Sequence, residues 1–142
     1  MRTLTRSALI ARPPATVFAL VNDIARYPEF VPGCVRAEIL MHKEREIVAR
    51  LKVRRGLLST EITTRNLLQP HEQIHMELVA GPLRSFEGLW TFAPVASNGC
   101  RIELQLSFEF SNPLKAALLD GLLESTATSM VQAFVARAQR QP

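Results

Sequence analysis

Between Asn112-Pro113 and about Gln139 the chain contains no proline, and this last stretch limits what the rest can be. Asparagine suits the capping position before a helix and proline its first turn, so the segment reads as one uninterrupted helix. At ~1.5 Å per residue it runs for about 40 Å, long enough to cross the whole concave face of a sheet. Leu119, Leu123, Ala127, Met130, Phe134 and Ala138 form its main apolar stripe. Leu114, Ala117, Leu118 and Leu122 lie off that stripe, so the first half is apolar nearly all round and needs apolar neighbours on two sides.

The sheet is supplied by Val35 to Phe110, which reads as a succession of strands. Val35, Ala37, Ile39 and Met41 alternate with Arg36, Glu38 and His42, and Ile47, Ala49, Leu51 and Val53 alternate with Arg50, Lys52 and Arg54. Thr60 to Leu68 is β-branched, and Ile74, Met76, Leu78 and Ala80 alternate with His75 and Glu77. Phe86, Gly88, Trp90 and Phe92 share one parity, and Asn98-Gly99 is a hairpin signal leading to the clearest strand, whose Cys100, Ile102, Leu104, Leu106, Phe108 and Phe110 point one way. One dry and one wet face per strand is the pattern of an antiparallel meander covered on one side.

Ahead of the meander, Thr3 to Arg12 reads as a strand, and a helix enters at Pro13-Pro14 and ends near Asn22-Asp23. The stretch from Ile24 to Cys34 contains two prolines and a glycine, so it holds at most a helical turn before Pro28 and then an irregular loop. Its Tyr27, Phe30, Val31 and Pro32 would be wasteful on an exposed loop, which predicts that they cover something apolar.

At 142 residues the chain fits one domain, 1–142. It has no apolar run of membrane-spanning length and no secretory leader, so a cytoplasmic protein is expected. Cys34 and Cys100 have neither metal-type nor redox-type spacing and read as buried, reduced thiols. Six basic residues against two acidic ones between Lys43 and Arg55 account for the whole net charge of +4. Arg50, Lys52, Arg54 and Arg55 therefore form a stripe for an anionic partner, a phospholipid surface or RNA, or else a solvated strand face. At the next turn Leu57 and Leu58 stand beside Arg54 and Arg55, which suits either membrane contact or leucines folded over a pocket rim.

Catalysis in an interior of this kind would need an acid or base on an inward parity, and none is found: His75 falls on a wet face, His71 in a loop beside Pro70, and His42 at a strand end. Glu61 and Arg65 share a parity and suit a cross-strand pair. No metal spacing and no phosphate-cradling glycine loop occurs, so no catalytic residue, metal or cofactor is assigned. The inward set Phe86, Trp90, Phe92, Leu104, Phe108, Met130 and Phe134 serves a solid core as well as a pocket, and periodicity does not separate the two.

Strand, short helices, meander and long closing helix is the order of the α+β helix-grip (START-like) fold. LVNDIARYPEFVPGC (20–34), TTRN (63–66), LVAGPLRSFEGLWTFAP (78–94), CRIELQLSFEFSN (100–112) and MVQAFVARA (130–138) resemble the coenzyme Q-binding and ribosome-association-toxin family within the polyketide cyclase/dehydrase and lipid transport superfamily. The resemblance implies a curved sheet wrapped around the long helix to leave an apolar tunnel for ubiquinone or a related isoprenoid quinone, bound non-enzymatically in support of respiration. On that reading Tyr27, Phe30, Val31, Pro32, Phe86, Trp90, Leu104, Phe108, Leu119, Leu123 and Met130 line one cavity, with the Pro28-to-Gly33 loop at its mouth. The partners expected are a lipophilic small molecule and a peripheral contact at the inner face of the membrane, with no DNA. The alternative within the same family is a toxin that binds the large ribosomal subunit and blocks translation initiation. A cyclase/dehydratase-type enzyme comes third.

Overall fold

The computed structural model describes residues 1–140; the last two positions of the expected 1–142 domain lie outside the described residues. Strand β1 (Arg2–Ile10) is followed by helix α1 (Pro14–Asn22), a 3-10 turn (Ile24–Arg26) and the four-residue helix α2 (Tyr27–Phe30). Six strands come next: β2 (Cys34–Lys43), β3 (Glu46–Arg55), β4 (Leu58–Gln69), β5 (Gln73–Ala80), β6 (Leu83–Val95) and β7 (Gly99–Phe110). Helix α3 (Pro113–Arg140) closes the chain. The strands form one seven-stranded sheet in the order β1-β7-β6-β5-β4-β3-β2, with every neighbouring pair antiparallel. This is the helix-grip architecture, an unbroken meander from β2 to β7 with β1 added beside β7.

Helix α3 begins as its first residues dictate: the Lys115 amide donates to Asn112 Oδ1 at 2.8 Å, and Pro113 occupies the first helical position. Its dry face lies against the sheet through Leu123, Ala127, Val131, Phe134 and Ala138, all buried. The ring of Phe134 meets Trp90 at 5.5 Å, Tyr27 at 5.4 Å and Phe30 at 5.7 Å in edge-to-face contacts, which tie α3 to the sheet and to α2. At the sheet edge Arg2 and Arg6 of β1 reach across to α3, to Asp120 at 2.7 Å and to Glu124 at 3.2 Å respectively, and Arg6 also donates to Thr128.

Several expectations are corrected here. Of the off-stripe residues of α3 only Leu122 is buried; Leu114 and Leu118 are 69% and 49% exposed, so the first half of the helix has one apolar neighbour and not two. The segment before Cys34 is more ordered than a loop, because the peptide of Tyr27 starts α2 directly after the 3-10 turn, and Pro28 sits in the first turn where its missing N–H costs nothing. In β2 the register shifts between Cys34 and Arg36 and again between Ile39 and Met41, which takes Val35 and Met41 out of the inward set. Glu61 and Arg65 do not pair with each other: Glu61 faces Arg50 at 3.6 Å and Arg65 faces Glu46 at 2.9 Å, both across to β3. The β6–β7 hairpin forms as expected, but the positive φ falls on Ala96, and Gly99 is required because a Cβ there would stand 2.8 Å from the Val95 carbonyl oxygen.

A neutral cavity between the sheet and the closing helix

Because directly opposed residues of an antiparallel pair share a face, the register carries the inward set from strand to strand. Leu51 pairs with Ile62, Ala49 with Thr64, Asn66 with Met76, Ile74 with Trp90, and Trp90 with Leu104. All of them border one cavity, together with Val53, Phe86 and Leu106 from the same face. Its other walls are Leu123, Thr126, Ala127 and Met130 of α3, Val21 of α1 and, from the segment after it, Ile24 and Tyr27. The room they leave is about 90 Å³ for the centres of water-sized molecules, within about 810 Å³ of atom-free space that includes the opening to solvent. A single water needs roughly 10–15 Å³ in the first measure, so the interior is not packed solid.

The site residues expected from sequence divide into two groups. Tyr27, Phe86, Trp90, Leu104, Leu123 and Met130 stand around the cavity. Phe30, Val31, Pro32, Phe108 and Leu119 do not. Phe108 points inward but is fully buried beyond the void, its ring 5.6 Å from Phe110, so it is a core residue. Phe30 packs on Phe134 and beneath the Arg137 guanidinium at 4.9 Å, Val31 is buried in the core, Pro32 is exposed, and Leu119 is half-buried against the core. The Pro28-to-Gly33 segment is thus pinned to the C-terminal half of α3, and only Tyr27 before it touches the cavity.

The lining contains more polarity than the sequence reading allowed. Thr64 and Asn66 of β4 and Thr126 of α3 face the void, and the Thr64 hydroxyl donates to Asn66 Oδ1 at 2.8 Å. Strict alternation outward from Ile62 would have found both β4 residues. The Thr126 hydroxyl donates to the Leu122 carbonyl at 2.8 Å, the local bond that lets a threonine sit in a helix facing an apolar space. Tyr27 is the one ionisable side chain in the lining; its hydroxyl donates to the Val21 carbonyl, and burial pushes its phenol well above the ordinary range. The cavity therefore carries no charge near neutrality.

The basic stripe lies on the opposite face, since Arg50, Lys52 and Arg54 alternate with the cavity residues Ala49, Leu51 and Val53. Arg50 is already engaged, its Nη2 donating to both Glu38 oxygens at 3.1 Å. Lys52, Arg54 and Arg55 have no ion pair among the described residues. Leu57, at the tip of the β3–β4 hairpin, is fully exposed and does not fold over the cavity. His75 pairs with Glu87 at 2.8 Å on the outer face, and His71 meets the edge of Phe18, so no histidine reaches the void. Burial pushes the Cys34 and Cys100 thiols up, which keeps them protonated and unreactive.

Residues 10–135 match the family described as polyketide cyclase / dehydrase and lipid transport. The chain belongs to this family. Among the family's proteins it is 41% identical over 137 residues to the ribosome association toxin RatA of Pseudomonas aeruginosa, covering 96% of this chain and 95% of that one. It is 24% identical to the mitochondrial coenzyme Q-binding protein COQ10 of Drosophila melanogaster over 99% of this chain and 60% of that one. The Zhui aromatase/cyclase of a Streptomyces species has the same fold, with a TM-score of 0.89 at 20% identity over 98% and 94% of the two chains. Among the described residues no helix is long and apolar enough to cross a membrane.

Proposed function

We propose that this protein binds a neutral lipophilic molecule in the cavity between the sheet and α3, and that the ligand is ubiquinone or a related isoprenoid quinone carried in support of respiratory electron transport. The observation that carries the reading is an interior void walled by five strands and a helix whose one ionisable group, Tyr27, is held neutral with its proton already donated. Apolar surface removed from water contributes about 25 cal/mol per Å², so a hydrocarbon tail supplies affinity with few polar contacts. The unbranched Met76 and Met130 in the lining are the side chains best able to shift and adapt the void to a ring and its tail. The similarity to a coenzyme Q-binding protein supports the same ligand class. The exposed Leu57 beside Arg54 and Arg55 suits delivery at an anionic membrane surface. The one acid–base candidate in the lining, Tyr27, commits its proton to the Val21 carbonyl, which favours binding over cyclase chemistry, for which the Streptomyces enzyme supplies a likeness of fold alone. Mass spectrometry of a solvent extract of the natively purified protein tests the reading: an isoprenoid quinone is expected, and recovery of only fatty acids or phospholipids would overturn it.

A second reading, association with the large ribosomal subunit to inhibit translation initiation, draws for its ribosome partner on the 41% identity to a protein named as a ribosome association toxin. It would use the outer face, where Lys52, Arg54 and Arg55 remain available, so it does not compete with the cavity for residues. Co-sedimentation with large subunits at low salt should weaken as salt rises and fall on reversal of Lys52 and Arg54 to glutamate. Binding that ignores both changes would remove these cations from the account. The same pair of variants on anionic vesicles separates the membrane from the ribosome as the partner of this face.

A further inference from the structure

Two side chains that line the cavity, Asn66 and Trp90, carry N–H donors for which no protein acceptor is found among the described residues, and neither donor atom is sealed off from water-sized space. Asn66 is 5% exposed and its Oδ1 already accepts the Thr64 hydroxyl, which turns its amide NH2, with two protons to donate, away from that bond. Trp90 is 3% exposed, and its indole N–H can only donate. In a largely apolar wall, donors open to the void are met by water when it is empty and by an acceptor on the ligand when it is filled.

The register places them on the same face two strands apart. Asn66 lies opposite Met76, Met76 opposite Gly88, and Trp90 stands two residues beyond Gly88. Between them the sheet has no side chain of its own at Gly88 and is covered by the end of Met76, since a Cβ at Gly88 would lie 2.3 Å from the Met76 Cε. A flat group that displaces this flexible side chain would approach the Gly88 backbone beside Leu106, whose Cδ2 lies 3.0 Å from the same point, with Asn66 and Trp90 in the same wall. The lining has no cation to meet a carboxylate and no carboxylate to meet an amine.

We infer that Asn66, oriented by Thr64, and the Trp90 indole form a subsite for the carbonyl oxygens of a neutral head group, so that the cavity selects ketones and quinones over fatty acids, amines and plain hydrocarbons. The inference rests on the ligand-binding reading above and adds to it the residues that choose the head group. Thr64 and Asn66 are positioning and recognition residues; the tail is held by the aliphatic remainder.

The test uses the full chain labelled with ¹⁵N and two probes with the same ten-carbon tail, decylubiquinone and n-decylbenzene. Decylubiquinone should move the Asn66 side-chain amide and the Trp90 indole resonances downfield, and n-decylbenzene should leave both near their free positions. Asn66→Leu should weaken decylubiquinone roughly tenfold, since a buried carbonyl then goes unmet, while changing n-decylbenzene less than about twofold. Should Asn66→Leu fail to fold, Thr64→Val and Trp90→Phe each remove one part of the subsite and should show the same split between probes. Equal losses for both probes, or no loss for either, would overturn the subsite and leave the cavity as a non-selective apolar site. If the wild-type protein binds neither probe, the ligand-binding reading itself fails, an outcome distinct from binding both without discrimination.

Discussion

Gly88→Ala should close part of the cavity at little cost to the fold. The backbone at Gly88 needs no positive φ, so alanine is tolerated there and gains about 0.5–1 kcal/mol of strand stability over glycine. The new methyl would stand 2.3 Å from the Met76 Cε and 3.0 Å from the Leu106 Cδ2. Leu106 blocks one side, so the methionine end has one direction in which to move, into the void it already borders. Swinging an unbranched side chain costs less than the roughly 1–3 kcal/mol of a rigid overpacked core, and the net change in unfolding free energy should stay within about 1 kcal/mol. The displaced thioether and methyl occupy the place of two or three ligand methylenes at about 0.8 kcal/mol each. Affinity for a tailed ligand should thus fall roughly fifteen- to sixtyfold. Urea unfolding gives the first quantity and titration of Trp90 fluorescence with decylubiquinone the second; Gly88→Ala combined with Met76→Ala should restore binding. A variant that loses more than about 2 kcal/mol of stability yet binds normally would show that Met76 moves elsewhere and that ligands do not use this part of the interior.

Phe108→Ala, in the core beyond the void, should destabilise the fold by about 3–5 kcal/mol in urea unfolding, whereas Leu123→Ala, at the wall, should cost less because one side of Leu123 already faces empty space. Equal costs would mean that the void is filled in solution. Alkaline stability should report Tyr27: its phenol binds its proton more tightly when folded than when unfolded, so the stabilisation is complete below the unfolded value of 10.0 and declines as pH rises above it. Tyr27→Phe should flatten that decline in urea midpoints taken between about pH 9 and 11.5, leaving the smaller fall of the same sign that the buried thiols of Cys34 and Cys100 contribute. An unchanged slope would place the Tyr27 hydroxyl in contact with solvent.

Most of the fold was legible along the chain because each element is specified by a local period. The inward residues of β7 and the Asn112-Pro113 start of α3 lie where alternation and capping chemistry put them. What misled was local as well. The exposure of the leucines on the outer side of the first half of α3 has no signal in composition, which does not say how many neighbours a helix has, and the β2 bulges move Val35 and Met41 off the inward parity without a signal in residue type.

The site was legible in part, for a physical reason. Tyr27, Phe86, Trp90, Leu104, Leu123 and Met130 could be assigned to the interior from period and character, and so could Phe108, because burial of an apolar side chain is decided by which face of its strand it occupies. Whether a buried side chain then meets another atom or an empty space depends on how far the sheet curves away from α3 at that point. That distance is set by all seven strands together, and no stretch of sequence carries it. The same holds for Asn66: its parity and its bond to Thr64, two residues away on the same face, are local, but that the pair borders a void is decided by the closed sheet and α3.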